Sequence, residues 1–235
     1  MPVLEVFYMR ASPPSYAVLA LLKHTKTPYK ATELDYFGGQ QFTEEHAKRN
    51  PQKEVPVIQD GDYILCESVA ILQYIADAYG KGLPDLYPSD PKRRGTINQR
   101  LAFNLCNLYP SVSMYTFGDV FGAPSTDQIK SKALRSLSVF ETILKDQGTK
   151  FAAGEKFSIA DIGLLQTAIC MEAADFDFSP YPLIAKWYET CKTQGAMWED
   201  FKAIRDDLHF FLKNPPNKDA LAQLDKKRDA SFQQK

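Results

Sequence analysis

Ser12 is the first residue whose position suggests chemistry. It lies within residues 9–14 (MRASPP), between a predicted strand and a predicted helix. The N-terminus of a helix favours an anion, because its first N–H groups lack partners within the helix and form the positive end of the helix dipole. A hydroxyl at that point can donate to a thiolate and lower the pKa of the thiol, which is about 8.5 in free cysteine. The sequence is equally compatible with a plain N-cap serine.

Val55-Pro56 is the second candidate. A proline that opens an extended run removes one donor from the sheet and indicates a sheet edge or a cis peptide bond. A cis bond would turn the backbone of Val55 outward, where an extended peptide can pair with it. The alternative is an ordinary trans proline on an edge strand.

Glu67-Ser68 opens another predicted helix. Its unpaired N–H groups and the Ser68 hydroxyl suit a carboxylate, and the neighbouring Glu67 suits an ammonium. The pair therefore fits the head group of an α-amino acid. The alternative is a capping pair, which is common at helix starts.

Cysteines and histidines give no sign of a metal site or a disulfide. The four cysteines are widely spaced and lie in apolar contexts typical of reduced core thiols: Cys66, Cys106, Cys170 and Cys191. The three histidines form no ligand cluster and are expected at the surface: His24, His46 and His209.

Hydrophobic periodicity predicts which elements hold these residues. A Pro-Pro helix start, an Asp60-Gly61 hairpin and a stop at Gly80 punctuate the first third of the chain. The predicted order is β-α-β-α-β-β-α, over residues 3–9, 13–24, 29–34, 43–49, 55–60, 63–66 and 67–79.

Only helical patterns follow. We predict domains at 1–82 and 92–213, a linker at 83–91 and a polar tail with one short helix at 214–235. Ser158 and Asp161 have the spacing of a capping box, a structural signal worth about 1 kcal/mol or more. The predicted helices cover residues 92–121, 125–145, 158–173, 181–192 and 198–212.

The bulk composition limits the possible partners. Lys and Arg number 28 against 29 Asp and Glu, for a net charge of -1. Such a balance produces no field that would gather nucleic acid or an anionic membrane. No apolar run reaches the roughly 20 residues of a membrane span, and no signal peptide is evident, so we expect a cytoplasmic protein.

The order of elements and these three sites together resemble the cytosolic glutathione transferases over about residues 3–212. Several separate motifs are particularly similar to the insect delta and epsilon classes. The motifs are residues 50–52 (NPQ) before Val55-Pro56, 67–68 (ES) with 70–71 (AI), 86–88 (LYP), 90–92 (DPK) and 97–101 (INQRL). The resemblance implies an α/β thioredoxin-like N-terminal domain that binds glutathione, followed by an all-α C-terminal helical bundle.

By that resemblance the protein is an enzyme that conjugates glutathione, its co-substrate, to small apolar electrophiles, without a metal. Ser12 would stabilise the glutathione thiolate, and Val55 would hydrogen-bond the cysteinyl backbone beside a cis Pro56. Glu67 and Ser68 would bind the γ-glutamyl end. A peroxidase side activity and a homodimer packed across the third and fourth helices are also implied.

Four positions depart from the delta and epsilon pattern. Lys53 and Gln41 stand where the family commonly has histidines, and we expect both to bind the glycyl carboxylate. Val69 and Tyr16 stand where arginines are usual, so Val69 removes a charged contact. The chain is therefore identified as a divergent or unclassified member.

The electrophile is expected between Ser12 and the helical domain, in an adaptable pocket of aromatic and methionine side chains. Aromatic residues at helical spacing often belong to the core, so we expect about half of these to face the cavity. The candidates are Tyr109, Met114, Tyr115, Phe117 and Phe121, with Phe210 or Phe211 closing the far end.

Three other functions would each leave a different signature. A protein of this fold that binds glutathione or hydrophobic ligands without turnover would retain glutathione and show no conjugation. A thiol transferase of the omega kind or a dehydroascorbate reductase needs a cysteine at the position of Ser12. An elongation-factor subunit is expected to carry a further C-terminal domain.

Overall fold

A mixed sheet organises the N-terminal domain of this computed structural model, which describes residues 3–121, 125–195 and 197–233. Its strands are β1 (Leu4–Tyr8), β2 (Tyr29–Glu33), β3 (Val57–Asp60) and β4 (Tyr63–Cys66). They lie in the order β2-β1-β3-β4, with β1 parallel to β2 and the other two pairings antiparallel. The parallel pair requires a crossover, and a helix provides it.

Three helices accompany the sheet: α1 (Pro13–His24), α2 (Glu44–Arg49) and α3 (Ser68–Tyr79). The predicted order β-α-β-α-β-β-α is confirmed. A 3₁₀ turn, Gln40–Phe42, precedes α2.

The C-terminal domain is all-helical in the part of the chain that the structure describes. Its helices are α4 (Pro91–Phe103), α5 (Tyr109–Phe117), α6 (Asp127–Gln147), α7 (Ile159–Ala173), α8 (Pro182–Lys192) and α9 (Met197–Lys213). The single helix expected over 92–121 is interrupted by a π-helical stretch, Asn104–Leu108. Pro110 explains the interruption, because it donates no N–H and its ring crowds the preceding turn.

The chain after α9 corrects one expectation. The predicted polar tail does contain one helix, but that helix, α10 (Lys218–Gln233), is not short: it has 16 residues. Asn217 begins it, since its Oδ1 accepts the N–H groups of Asp219 at 2.6 Å and Ala220 at 3.0 Å. Leu224 is buried and anchors it.

α1 lies between the sheet and the helical domain. It packs against α3 on one side and against α7 and α9 on the other. Its residues Ala17–Leu22 are therefore buried on all sides of the helix. Two ion pairs hold α9 alongside it: Arg10 with Asp207 at 2.8 Å and Lys23 with Asp200 at 3.0 Å.

The capping box at Ser158 and Asp161 is confirmed, and Asp161 does more than cap. This buried carboxylate accepts hydrogen bonds from the Ser158 N–H at 3.0 Å, the Ala152 N–H at 2.9 Å and the Trp187 indole at 2.8 Å. It therefore joins the start of α7 to a preceding loop and to α8.

Among the described residues, no helix combines the length and the apolar character needed to cross a bilayer.

Candidate functional site

Ser12 lies at the end of the loop that connects β1 to α1. Ala11 just before it has φ +61°, a left-handed conformation uncommon for a residue with a side chain and frequent near functional sites. Ser12 is the N-cap of α1: its Oγ accepts from the Ser15 N–H at 3.4 Å and from the Ser15 hydroxyl at 2.9 Å. The capping interpretation is thus confirmed. Both bonds use Oγ as an acceptor, so the Ser12 hydrogen can point into the cleft.

The Val55-Pro56 peptide bond is cis, as the family resemblance implies, and not trans. Pairing between β1 and β3 begins at Phe7 and Val57, so Val55 lies just beyond the end of the ladder. Val55 and Ser12 line the same cavity. An extended peptide laid beside Val55 would therefore meet the Ser12 hydroxyl.

Glu67 and Ser68 lie at the N-terminus of α3. Glu67 has φ +68° and its side chain makes no capping bond, so the capping alternative does not hold for it. Its Oε1 instead accepts from the Gln52 amide at 3.0 Å. Ser68 is largely buried. The first N–H groups of α3 therefore remain uncapped by Glu67 and can receive an anion.

Lys53 is only 9% exposed because α10 covers it. Its ammonium donates to the carbonyl of Ser231 and lies 4.2 Å from the ring centroid of Phe232. Gln41 is fully buried in the 3₁₀ turn, and neither its Oε1 nor its Nε2 has a hydrogen-bond partner in the described part of the chain. Neither residue lines the cavity beside Ser12.

The two other departures have structural roles. The Tyr16 hydroxyl donates to Asp207 at 3.5 Å, and burial raises the pKa of Tyr16 to about 12. Val69 is partly buried and packs against the core.

A cavity of about 380 Å³ opens between Ser12 and the helical domain. Tyr109, Met114 and Phe117 line it as expected from the sequence. Tyr115 does not, because residues advance by 100° along a helix and Tyr115 points away from the face shared by Tyr109 and Phe117. The side chain of Phe121 lies outside the described part of the structure.

Phe210 is a correction. It is 63% exposed and does not line the cavity, whereas Leu208 and Phe211 on the opposite face of α9 do. Sequence reasoning also missed several other lining residues. They are Met9, Tyr36, Glu54, Ser113, Val120 and Cys170.

Burial raises the pKa of several ionisable side chains of the cavity and so disfavours their charged forms. Burial raises the pKa of Tyr36 to about 12, and burial likewise raises the pKa of the Cys170 thiol. Loss of water around Glu54 raises the pKa of its carboxyl, although Arg228 opposes that shift. Both shifts favour the protonated forms of the Tyr36 phenol and the Cys170 thiol at neutral pH.

Two expectations about the other cysteines and histidines fail. Cys106 is exposed, not a core thiol. His46 is buried, not at the surface, and its Nε2 lies 3.1 Å from the carbonyl of Glu54. In the described ranges, no three His, Cys, Asp or Glu side chains are grouped so that they could share a metal ion.

Comparison with known proteins identifies the family. The model of the glutathione S-transferase N-terminal domain matches residues 2–77, and that of the glutathione S-transferase C-terminal domain matches residues 108–194. The chain is 37% identical to glutathione S-transferase D7 of Anopheles gambiae over 194 residues, which are 82% of this chain and 87% of that protein.

Solved structures agree. A diazinon-metabolizing glutathione S-transferase of the silkworm, Bombyx mori, is similar with a TM-score of 0.82 and 38% identity, over 88% of this chain and 100% of that one. A glutathione transferase homologue of Drosophila mojavensis with bound glutathione has a TM-score of 0.81 and 25% identity, over 92% and 99% of the two chains. The chain belongs to the glutathione S-transferase family.

Proposed function

We propose that this protein conjugates the thiolate of glutathione to apolar electrophiles and that Ser12 holds the thiolate. The observation that carries the proposal is the position of Ser12: its Oγ caps α1, and Ser12 lines the same apolar cavity as Val55 of the cis peptide.

The chemistry follows from that position. The Ser12 hydroxyl donates to the sulfur, and the N-terminus of α1 favours its negative charge. Lowering the thiol pKa by one to two units requires a preference for the thiolate of about 1.4 to 2.8 kcal/mol, which these two effects can provide. The sulfur then attacks the electrophilic carbon, a C–S bond forms, the leaving group departs with its electron pair, and the thiol proton passes to solvent.

The rest of glutathione extends along the sheet edge. Val55 pairs with the cysteinyl backbone beside Pro56. The Glu67 carboxylate binds the γ-glutamyl ammonium, while Ser68 and the first N–H groups of α3 bind the γ-glutamyl carboxylate. The glycyl carboxylate lies toward Lys53 and Gln41.

The electrophile occupies the cavity against Tyr109, Met114 and Phe117, with Phe211 on the far wall. These side chains favour uncharged, apolar substrates. The family assignment also supports four further parts of the proposal. They are a cytoplasmic location, a homodimer packed across α3 and α4, a peroxidase side activity and domain boundaries at residues 82 and 92.

The test is a conjugation assay with glutathione and a chlorinated nitrobenzene. Ser12→Ala should lose about tenfold to a hundredfold of kcat/KM below the pKa of the bound thiol, since one to two pKa units are lost. Ser113→Ala, which removes another serine of the cavity wall, is the matched control and should keep the rate. Equal rates for wild type and Ser12→Ala would remove Ser12 from the mechanism. Retention on immobilised glutathione without any conjugation by the wild type would contradict the enzymatic function.

A further inference from the structure

Helix α10 covers Lys53, the residue proposed to bind the glycyl carboxylate of glutathione. Lys53 donates to the Ser231 carbonyl in the last turn of α10, and Phe232 places its ring 4.2 Å from the same ammonium. Lys227 donates to the Gly38 carbonyl at 2.8 Å, and α10 packs on the turn that contains Gln41. These contacts attach α10 to Lys53 and to the segment that contains Gln41.

The group that α10 presents to Lys53 resembles a carboxylate. The last four carbonyls of a helix have no partner within the helix, and together they form the negative end of its dipole. Ser231 is the third residue from the end of α10, so its carbonyl is one of these. The Phe232 ring face adds a cation–π contact to the ammonium. Lys53 is therefore already paired with a partly negative oxygen and an aromatic ring.

Gln41 lies in the 3₁₀ turn on which α10 packs. Its amide is fully buried, yet neither Oε1 nor Nε2 makes a hydrogen bond within the described ranges. Buried polar groups are normally paired, and an unpaired one is unfavourable. An acceptor that reached the Nε2 group of Gln41 would satisfy it.

We propose that α10 is a built-in competitor of glutathione: its C-terminal turn binds Lys53 in place of the glycyl carboxylate and must leave before glutathione binds fully. This inference rests on the proposed function. α10 is suited to leave, because Leu224 is the buried residue of an otherwise largely exposed helix, and elements with few buried contacts open at low cost.

The test compares two full-length variants that introduce the same charge on α10. Leu224→Asp removes the buried anchor, and Gln223→Asp changes the exposed neighbour. Glutathione affinity is measured by calorimetry without an electrophile. If α10 is docked about nine-tenths of the time, Leu224→Asp should bind glutathione about tenfold more tightly, because the apparent Kd scales inversely with the open fraction. Gln223→Asp should match the wild type.

A second variant guards against a folding defect. Phe232 is 55% exposed, so Phe232→Ala should leave the fold intact while still tightening glutathione binding. In Lys53→Gln, which has no ammonium for α10 to hold, Phe232→Ala should change the affinity no further. In the wild type, saturating glutathione should speed amide hydrogen exchange across residues 218–233.

The outcomes separate the two proposals. Equal or weaker glutathione binding by Leu224→Asp and Phe232→Ala, with the wild type binding normally, overturns the competitor role of α10 alone. Absence of glutathione binding in the wild type and in both α10 variants overturns the proposed function, and the competition falls with it.

Discussion

The Ser15 hydroxyl donates to the Oγ of Ser12 at 2.9 Å. Ser15 is fully buried, one turn into α1, so this bond fixes the orientation of Ser12 from inside the protein. A hydroxyl that accepts a hydrogen bond becomes a better donor through mutual polarisation. The pair therefore forms a short relay from the core of α1 to the cleft.

Replacing Ser15 tests that relay. In Ser15→Ala the pKa of bound glutathione should rise by a few tenths to about one unit, because a net hydrogen bond contributes about 1 kcal/mol. The rise should be smaller than in Ser12→Ala. The thiolate absorbance of each glutathione complex, titrated in the ultraviolet, measures both. An unchanged pKa in Ser15→Ala would show that Ser12 acts without this support.

Glu67→Gln should weaken glutathione binding. The substitution keeps an oxygen that can accept from Gln52, 3.0 Å away, but removes the charge that pairs with the γ-glutamyl ammonium. Hydrogen bonds to charged groups contribute about 1.5 to 3 kcal/mol, so the KM for glutathione should rise about tenfold or more. The kcat should stay nearly constant. Asp62→Asn, an exposed acid at the hairpin, is the control; a similar rise there would indicate a general effect of charge.

Substitutions at Met114 and Phe117 distinguish an effect on substrate binding from an effect on core packing. Met114 is 42% exposed at the cavity, so Met114→Ala should raise the KM for the electrophile about fivefold, the effect of losing roughly 1 kcal/mol of apolar contact. Phe117 is buried, and Phe117→Ala should also lower the free energy of unfolding by about 3 to 5 kcal/mol. Steady-state kinetics and urea unfolding measure the two effects.

Leu105→Ala is the control for Met114, since Leu105 is 41% exposed but outside the cavity lining. Its KM for the electrophile should not change. A larger effect at Leu105 than at Met114 would place the electrophile elsewhere.

Asp161→Ala should be among the more damaging substitutions. It leaves the buried N–H groups of Ala152, Ser158 and Trp187 without their acceptor. Each unsatisfied donor costs about 1 to 3 kcal/mol, so a total loss of roughly 3 kcal/mol or more is expected in urea unfolding. Asp127→Ala, which changes an exposed acid in the first turn of α6, should lose less than about 1 kcal/mol. Equal losses would mean that the network contributes little.

Acidification should destabilise the fold partly through His46. Burial lowers the pKa of His46, so below about pH 6.5, the ordinary value, the unfolded chain takes up a proton more readily than the folded chain. Stability is therefore present above that pH and decreases as the pH falls toward the lowered folded pKa. His46→Gln should flatten this decrease, measured as the urea midpoint against pH. Burial also lowers the pKa of His24, so some slope should remain. Parallel curves for wild type and His46→Gln would exclude His46 as a cause.

Much of this architecture is predictable because its signals are local. Pro13-Pro14, Asp60-Gly61 and the Ser158–Asp161 box act through neighbouring backbone groups, so the sequence reveals them directly. The cis bond before Pro56 came from the family resemblance, since a proline alone does not specify its isomer.

The failures depend on contacts between distant parts of the chain. His46 is buried because the Glu54 loop closes over it, a relation invisible along α2. The choice between Phe210 and Phe211 depends on the rotational phase of α9 against α1, where one residue means 100°. The sequence of α10 has few apolar residues to indicate where it docks. Its docking depends on hydrogen bonds with Lys53 and Gly38, which are distant along the chain.

Two ion pairs, Arg10 with Asp207 and Lys23 with Asp200, connect α9 to the loop before α1 and to the last turn of α1. The loop that carries Ser12 and the cavity wall formed by Leu208 and Phe211 are consequently connected to each other. Leu208 belongs to the buried core, whereas Phe211 is only partly buried, so Phe211 is the wall residue whose replacement would disturb the packing less. A shift of α9 that enlarged the cavity would therefore also displace the loop that carries Ser12.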